Sequence, residues 1–377
     1  NRELPLIVGQ MPVLPKHYWA SRDFEATTLE PPLGSGPYRI KSFEANRYVV
    51  YERVKDYWGA NHPTRKGMSN FDEIRYDYYR DSTVAVEAFK AGAFDYRAEN
   101  SSKAWATTYD TPAVRDGQLV KRAFPHSRAS GVQGFAMNQR RDMFKDRRVR
   151  AALAYAFDFE WSNKALFYGQ YTRTRSYFDN SELAAKTVPG GAVLAVLEKY
   201  RGRVPDEVFT KAYNPPKNEG PGNIRKNLRA AFKLLKSAGW VVDPKTKKLT
   251  NQKTGAVMRF EILLVSPLFE RVVLPFAKNL ERLGIDARAR TVDTAQYQER
   301  VSNYDYDMIV GSWGQSLSPG NEQRNFWGSA AAGRPGSRNY NGVKDPVIDE
   351  LIEQIVAAPD RKSLVARVQA LDIVLQW

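Results

Sequence analysis

The sequence predicts an α/β protein, on three observations. Short segments rich in β-branched and aromatic residues alternate with segments whose apolar residues recur at helical spacing. Between 258 and 310 the order is strand, helix, strand, helix-like segment, strand, which argues for an α/β layer with at least partly parallel pairing. Residues that start and stop helices fall at the edges of the helical segments, so local chemistry and periodicity agree.

Taken in chain order, LGSGPYRI reads as a turn entering a strand. Gly34 and Gly36 lack the Gly-Lys-Ser/Thr of a phosphate loop, and the next element is a strand. Residues 47–53 (RYVVYER) and 73–79 (EIRYDYY) read as strands. At 147–158 the period changes: Val149, Ala152, Leu153, Ala156 and Phe157 share one helical face, with Asp146 as N-cap. Leu228, Phe232 and Leu235 repeat the pattern over 223–238, and Gly239 supplies the left-handed stop. Met258, Phe260, Ile262 and Leu264 alternate as a half-buried strand. A helix over 270–283 ending at Gly284 follows, then strands at 287–292 and 306–310. Asp345-Pro346 opens a helix carrying Ile348, Leu351, Ile352 and Ile355. Residues 188–222, with several Gly and Pro, read as an extended surface excursion.

The last apolar-periodic positions, Leu364, Val368, Leu371, Val374 and Leu375, run toward Trp377 without a stop signal, and the chain begins at Asn1. The expectation is a piece of a longer protein.

Composition narrows the chemistry. With 42% hydrophobic and 12% aromatic residues in 377, a substantial core is expected over two to three domains. Lys and Arg number 57 against 42 Asp and Glu, but the basic residues are scattered in short patches (Arg140, Arg141, Lys145, Arg147, Arg148; Lys245, Lys247, Lys248). A solvated surface explains them better than a nucleic-acid partner. Cysteine is absent, which excludes disulfides and thiolate chemistry. His17, His62 and His126 are isolated, so no metal site is expected. Asp305 and Asp307 share a strand face without a partner that would split their roles as acid and base. No nucleophile elbow or dinucleotide fingerprint occurs, and the expectation is a protein that is not an enzyme.

Residues 311–329, GSWGQSLSPGNEQRNFWGS, stand apart. A short apolar strand empties into a run of amides, hydroxyls, Gly and Pro bounded by Trp313 and Trp327. Polar loops held on a strand end between aromatic side chains are common ligand sites. The same run also reads as a surface turn whose tryptophans are packing.

Six segments then carry a resemblance. LGSGPYRIKSFEANRYVVYERVKDYWG (33–59), FKAGAFDY (89–96), FAMNQRRDMFKDRRVRAALAYAFDFE (135–160), AAFKLLKSAGW (230–240), LERLGIDARARTVDTAQY (280–297) and YDYDMIVGSW (304–313) resemble, in order, signatures of the family 5 extracellular solute-binding proteins. These are oligopeptide and dipeptide receptors of ABC importers. Within that family, SYFDNSELAA (176–185), NIRKNLRAAFKLL (223–235) and SPGNEQRNFWGS (318–329) resemble the YejA-type peptide receptors.

The resemblance implies a two-lobed periplasmic binding protein fold, of the class with an enlarged first lobe, incomplete here. Residues 1–129 would be the remainder of the large lobe, without its N-terminal part and extra subdomain. Residues 130–377 would be the second lobe, without its return to the large one, and the crossover would lie near 127–134. The resemblance also implies a monomer in the periplasm, with an export signal in the missing N-terminal part. It implies no cofactor, an oligopeptide ligand in the inter-lobe cleft, and importer permease subunits as partners. An oligosaccharide receptor of the same fold is the first rival, and a basic nucleic-acid-binding protein the second.

Site residues follow from the same resemblance. The strand beside the bound peptide maps to 134–138, which gives Gly134, Ala136 and Asn138 a ligand-facing place; Asn138 reads equally as a turn residue. In relatives an aspartate in the loop after 307–311 pairs with the peptide's α-ammonium, and here that place falls to Gln315 or Ser316. A buried ammonium without its carboxylate would lose several kcal/mol. The expected ligand amine is therefore either unburied or blocked, for instance as a formyl-amide held by Gln315 or Ser316 and Asn321. Glu322 is the acid that remains in the loop. Arg324 reads either as partner of a ligand carboxylate or as a bridge between lobes. Tyr177 and Phe178 read as pocket wall or as core, and Trp313 as an aromatic wall of the loop.

Overall fold

The computed structural model describes residues 4–26 and 28–377. Its contacts divide the chain into two compact units, one holding Pro5–Asn100 and Asp110–Lys121, the other Ser101–Tyr109 and Arg122–Trp377. The division falls before the expected crossover at 127–134, and Ser101–Tyr109 groups with the C-terminal unit.

The smaller unit is built on an antiparallel meander, β1 (Tyr38–Glu44), β2 (Tyr48–Arg53) and β3 (Glu73–Asp77). The sequence period of two places Tyr51 and Tyr76 edge to face at 5.8 Å. Helix Ser82–Lys90 follows, capped by the Asp81 carboxylate, which accepts from the N–H groups of Thr83 and Val84.

The larger unit is organised by a four-stranded mixed sheet in the order β4 (Val132–Met137), β9 (Met308–Trp313), β7 (Arg259–Leu264), β8 (Asp286–Thr291). The β7–β8 and β7–β9 pairs are parallel and β4–β9 is antiparallel. Between β4 and β7 lies a hairpin of β5 (Trp240–Val242) and β6 (Leu249–Asn251). Three-residue strands are too short for alternation to announce them; the turn is set by Asp243, which accepts from the N–H groups of Lys245 and Thr246.

Alternation sorts the sheet's side chains to two faces. Ala136, Leu263, Ile309 and Trp313 join a cluster with Ile348, Leu351, Ile355, Leu364, Val368 and Leu371. The latter come from helices Pro346–Val356 and Arg361–Gln376. Phe135, Phe260, Ile262, Leu264 and Met308 face helices Arg147–Ala156, Arg225–Ser237 and Glu270–Glu281. Local stops behave as their chemistry dictates. Asp146 and Asp345 cap their helices with side-chain oxygens, while Gly239 (φ +83) and Gly284 (φ +82) take the left-handed turn.

Residues 188–222 differ from the expected surface excursion. Short helices Gly191–Leu197 and Glu207–Thr210 bury Leu197, Tyr200, Val204 and Val208 in the first cluster. The Gly and Pro residues there lie in exposed or half-buried turns around these helices.

At the head of β4, Gly131 sits at φ +64, where a Cβ would fall onto the carbonyl oxygen of Trp313. Both the conformation and the space require glycine. The Gly131→Ala substitution is expected to cost about 3 kcal/mol through strain and lost β4–β9 pairing. A urea unfolding curve of the chain with and without the change measures it.

Candidate functional site

The candidate site is the rim of the larger unit where β9 ends and residues 314–324 follow. Two main-chain edges reach this region. The N–H of Asn138 donates to Asp307 O, which fixes the phase of the β4–β9 ladder. Val132, Gly134 and Ala136 therefore spend their main-chain groups on β9, and those of Gln133, Phe135 and Met137 face the open edge of β4. The second edge belongs to β9 itself. Its pairing with β7 is limited to Ile262 with Met308 and Leu263 with Ile309, so Ser312 projects its main-chain groups past the end of β7. Arg338 Nη2 donates to Ser312 O at 2.7 Å and anchors that overhang.

Beneath the loop lies an aromatic floor. Trp313 and Trp327 are 4% and 1% exposed, with ring centroids 5.0 Å apart, and Tyr177 meets Trp327 edge to face at 5.0 Å. Trp313 Nε1 donates to Arg338 O at 3.0 Å. Burial holds the Tyr177 hydroxyl well above its ordinary pKa. Trp313 therefore supports the loop rather than presenting a wall to a ligand, and the packing reading of the two tryptophans is the one the structure bears.

Two further positions are corrected by burial. Asn138 is 0% exposed; its Nδ2 donates to the carbonyls of Tyr304 and Tyr306, and its Oδ1 accepts from Arg140. Its side chain is consumed by the fold. Ala136, 1% exposed, places its methyl in the first cluster and its main chain on β9. Gly134 differs from both, since a Cβ there would meet nothing within 4 Å.

Arg324 forms a two-pronged ion pair with Glu353, at 2.7 and 2.6 Å, within the same unit. Asp305 and Asp307, the carboxylates that share a strand face, both pair with Arg141.

The loop itself keeps Gly314, Ser316, Leu317 and Ser318 exposed and Gln315, Asn321 and Glu322 half-buried. The Glu322 carboxylate turns back on its own turn, accepting from Gly320 N at 3.0 Å and from Gln323 Nε2 at 3.0 Å. Gln323, which the sequence reading missed, is 0% exposed and joins the loop to its floor: Trp327 Nε1 donates to its Oε1 at 3.1 Å, and its Nε2 donates to Gln315 Oε1 at 2.7 Å. The spacing of Gln323 and Trp327, four residues apart on a short helix, was the signal available for it. Among the described residues no group of His, Asp and Glu could hold a metal ion.

This geometry can bind an extended chain through main-chain hydrogen bonds beside amide and hydroxyl side chains. The comparisons give the class. A model of the bacterial extracellular solute-binding proteins, family 5 middle region, matches residues 3–334. The chain belongs to family 5 of the bacterial extracellular solute-binding proteins. Over 384 aligned residues covering the whole chain, it is 48% identical to an uncharacterized protein, y4wM, of Sinorhizobium fredii and 44% identical to a probable peptide-binding protein, YejA, of Agrobacterium fabrum. It spans 58% and 62% of those relatives' lengths. The fold is that of the two-lobed oligopeptide-binding proteins. The nonapeptide complex of AppA from Bacillus subtilis superposes with a TM-score of 0.72 at 20% identity, over 97% of this chain and 64% of that one.

Proposed function

We propose that the chain is the greater part of the substrate-binding component of an ABC importer, which captures peptides in the periplasm and delivers them to membrane permease subunits. The observation that supports it most is the open main-chain edge of β4, in a member of this family whose neighbouring strand β9 runs into a loop of amides and hydroxyls. A main-chain edge recognises any extended peptide, each bond contributing about 0.5–1.5 kcal/mol net. Such a site gives affinity without sequence preference. The peptide-binding relative and the nonapeptide complex support the same ligand class.

Within this reading, Gln315, Ser316, Asn321 and Glu322 are the side chains nearest the ligand's N-terminus. Gln315 and Ser316 are neutral, and the one carboxylate is engaged by Gly320 and Gln323. Binding is expected to tolerate a blocked, uncharged N-terminus. The receptor acts as a monomer, without a nucleic-acid partner, a cofactor or a catalytic step.

Native mass spectrometry of the gently purified full-length parent protein tests the reading. A ladder of peptide masses is the expected result, and fragmentation reads whether their N-termini are free or blocked. Co-purified oligosaccharide would overturn the ligand class.

A further inference from the structure

The hydrogen bonds under the loop have a direction. An indole N–H can only donate, so Trp327 fixes Gln323 Oε1 as acceptor. Gln323 Nε2 must then donate, and it does so to Gln315 Oε1. The orientation of the Gln315 amide is thereby settled as well, with its Nε2 at the far corner. That nitrogen is buried and has no hydrogen-bond partner among the described residues. Buried donors are almost always paired, and the exception asks for a partner from outside. The residues on either side, Gly314 and Ser316, are exposed, so the amide lies just under the loop surface.

We infer that Gln315 is a specificity-determining residue whose Nε2 donates to an acceptor oxygen of the ligand, either a neutral acyl carbonyl or a carboxylate. This rests on the peptide-receptor reading and adds the polarity of one contact. An ammonium at this point would face a donor that cannot turn round, because rotating the Gln315 amide would set its NH2 against that of Gln323. A hydroxyl chain would adapt to either partner; this relay, anchored at an indole, does not.

The test uses the full-length parent protein, freed of bound material by unfolding and refolding, in calorimetric titration. Three probes share one sequence: formyl-Ala-Ala-Ala, succinyl-Ala-Ala-Ala and Ala-Ala-Ala with a free amine. The wild type is expected to bind an acyl-ended probe about tenfold tighter than the free amine. The formyl and succinyl arms separate a carbonyl from a carboxylate. Gln315→Glu replaces the donor with an acceptor of the same shape and should reverse the order. Gln315→Met should weaken the acyl-ended probe without strengthening the free amine. Thermal melts of both variants confirm that they fold.

Tight binding of all three probes, unchanged in Gln315→Glu, overturns this inference and leaves the peptide receptor standing. Binding of none of them, while an oligosaccharide binds, overturns both.

Discussion

Replacing Asp372 with alanine is expected to lower the stability of the chain by about 3 kcal/mol at neutral pH. Asp372 lies on helix Arg361–Gln376 with 0% exposure and gathers four donors: Ser176 Oγ at 2.6 Å, the N–H groups of Tyr177 and Ala185 at 2.8 Å, and Gln376 Nε2 at 2.9 Å. Two of these are main-chain groups of one segment, so the carboxylate acts as the nail that holds residues 176–185 to the helix. Alanine would leave them without an acceptor. Asparagine keeps the shape and one oxygen but turns an NH2 on the remaining donors, and should fall between.

The pH dependence isolates the charge. Burial outweighs the four donors and pushes the Asp372 carboxyl up to about 6. Its folded value therefore lies above the unfolded one, about 3.9. The associated stability is fully present below about pH 4 and is lost as the pH rises through about 6. Across that window the effect is on the order of 3 kcal/mol. Wild type should gain on Asp372→Asn as acid is added. Carboxylates held low by arginine or lysine, such as Asp146 beside Arg148, act in the opposite sense in both proteins and cancel in the difference. Melting temperatures of the pair between pH 4 and 7 supply the comparison, and parallel curves would remove the argument.

The second large effect belongs to Arg140. Its guanidinium donates to the carbonyls of Ala332, Asn339 and Tyr340 and to Asn138 Oδ1, and lies 3.6 Å from the ring centre of Tyr304. Burial draws its pKa below the ordinary arginine value. A planar fork can reach all of these carbonyls at once, which a lysine cannot. Arg140→Met is expected to cost about 3 kcal/mol, and Arg140→Lys nearly as much. Recovery of stability by lysine would mean that charge alone mattered. Chemical unfolding of both variants decides, and the loss should centre on residues 328–343, which Arg140 fastens to the root of β4 and β9.

These two residues also mark what the sequence could tell. Helix limits were legible because caps and stops are local: Asp146, Gly239, Gly284 and Asp345 each act on their own turn. Within 311–329 the exposed turn was legible because Gly, Pro and Ser break regular elements, but the short helix Glu322–Trp327, which buries Gln323, Phe326 and Trp327, was not. The role of Arg140 was not, since its partners are carbonyls some 190 residues away and a basic patch reads as solvated surface. Asp372 did leave a trace, as the one acid within the apolar run ALDIVLQ. The open edge of β4 was hidden for another reason. The family resemblance implies a strand at 134–138, but which of its residues face outward depends on the pairing with β9, a property of two segments together.

The indole at the bottom of the loop has an optical consequence. Trp327 is one of eight tryptophans, yet its ring is buried against Trp313 and its N–H is tied to Gln323, the same amide that orients Gln315. Hydrogen bonds in such a chain polarise one another. If Gln315 receives a ligand oxygen as inferred above, the bond at the indole should strengthen and tryptophan emission should shift to the red. The closely spaced indole pair should couple through its strong far-ultraviolet transition and add a couplet to the dichroism there. The chain thus carries its own fluorescent and dichroic gauge of the loop, readable without a dye.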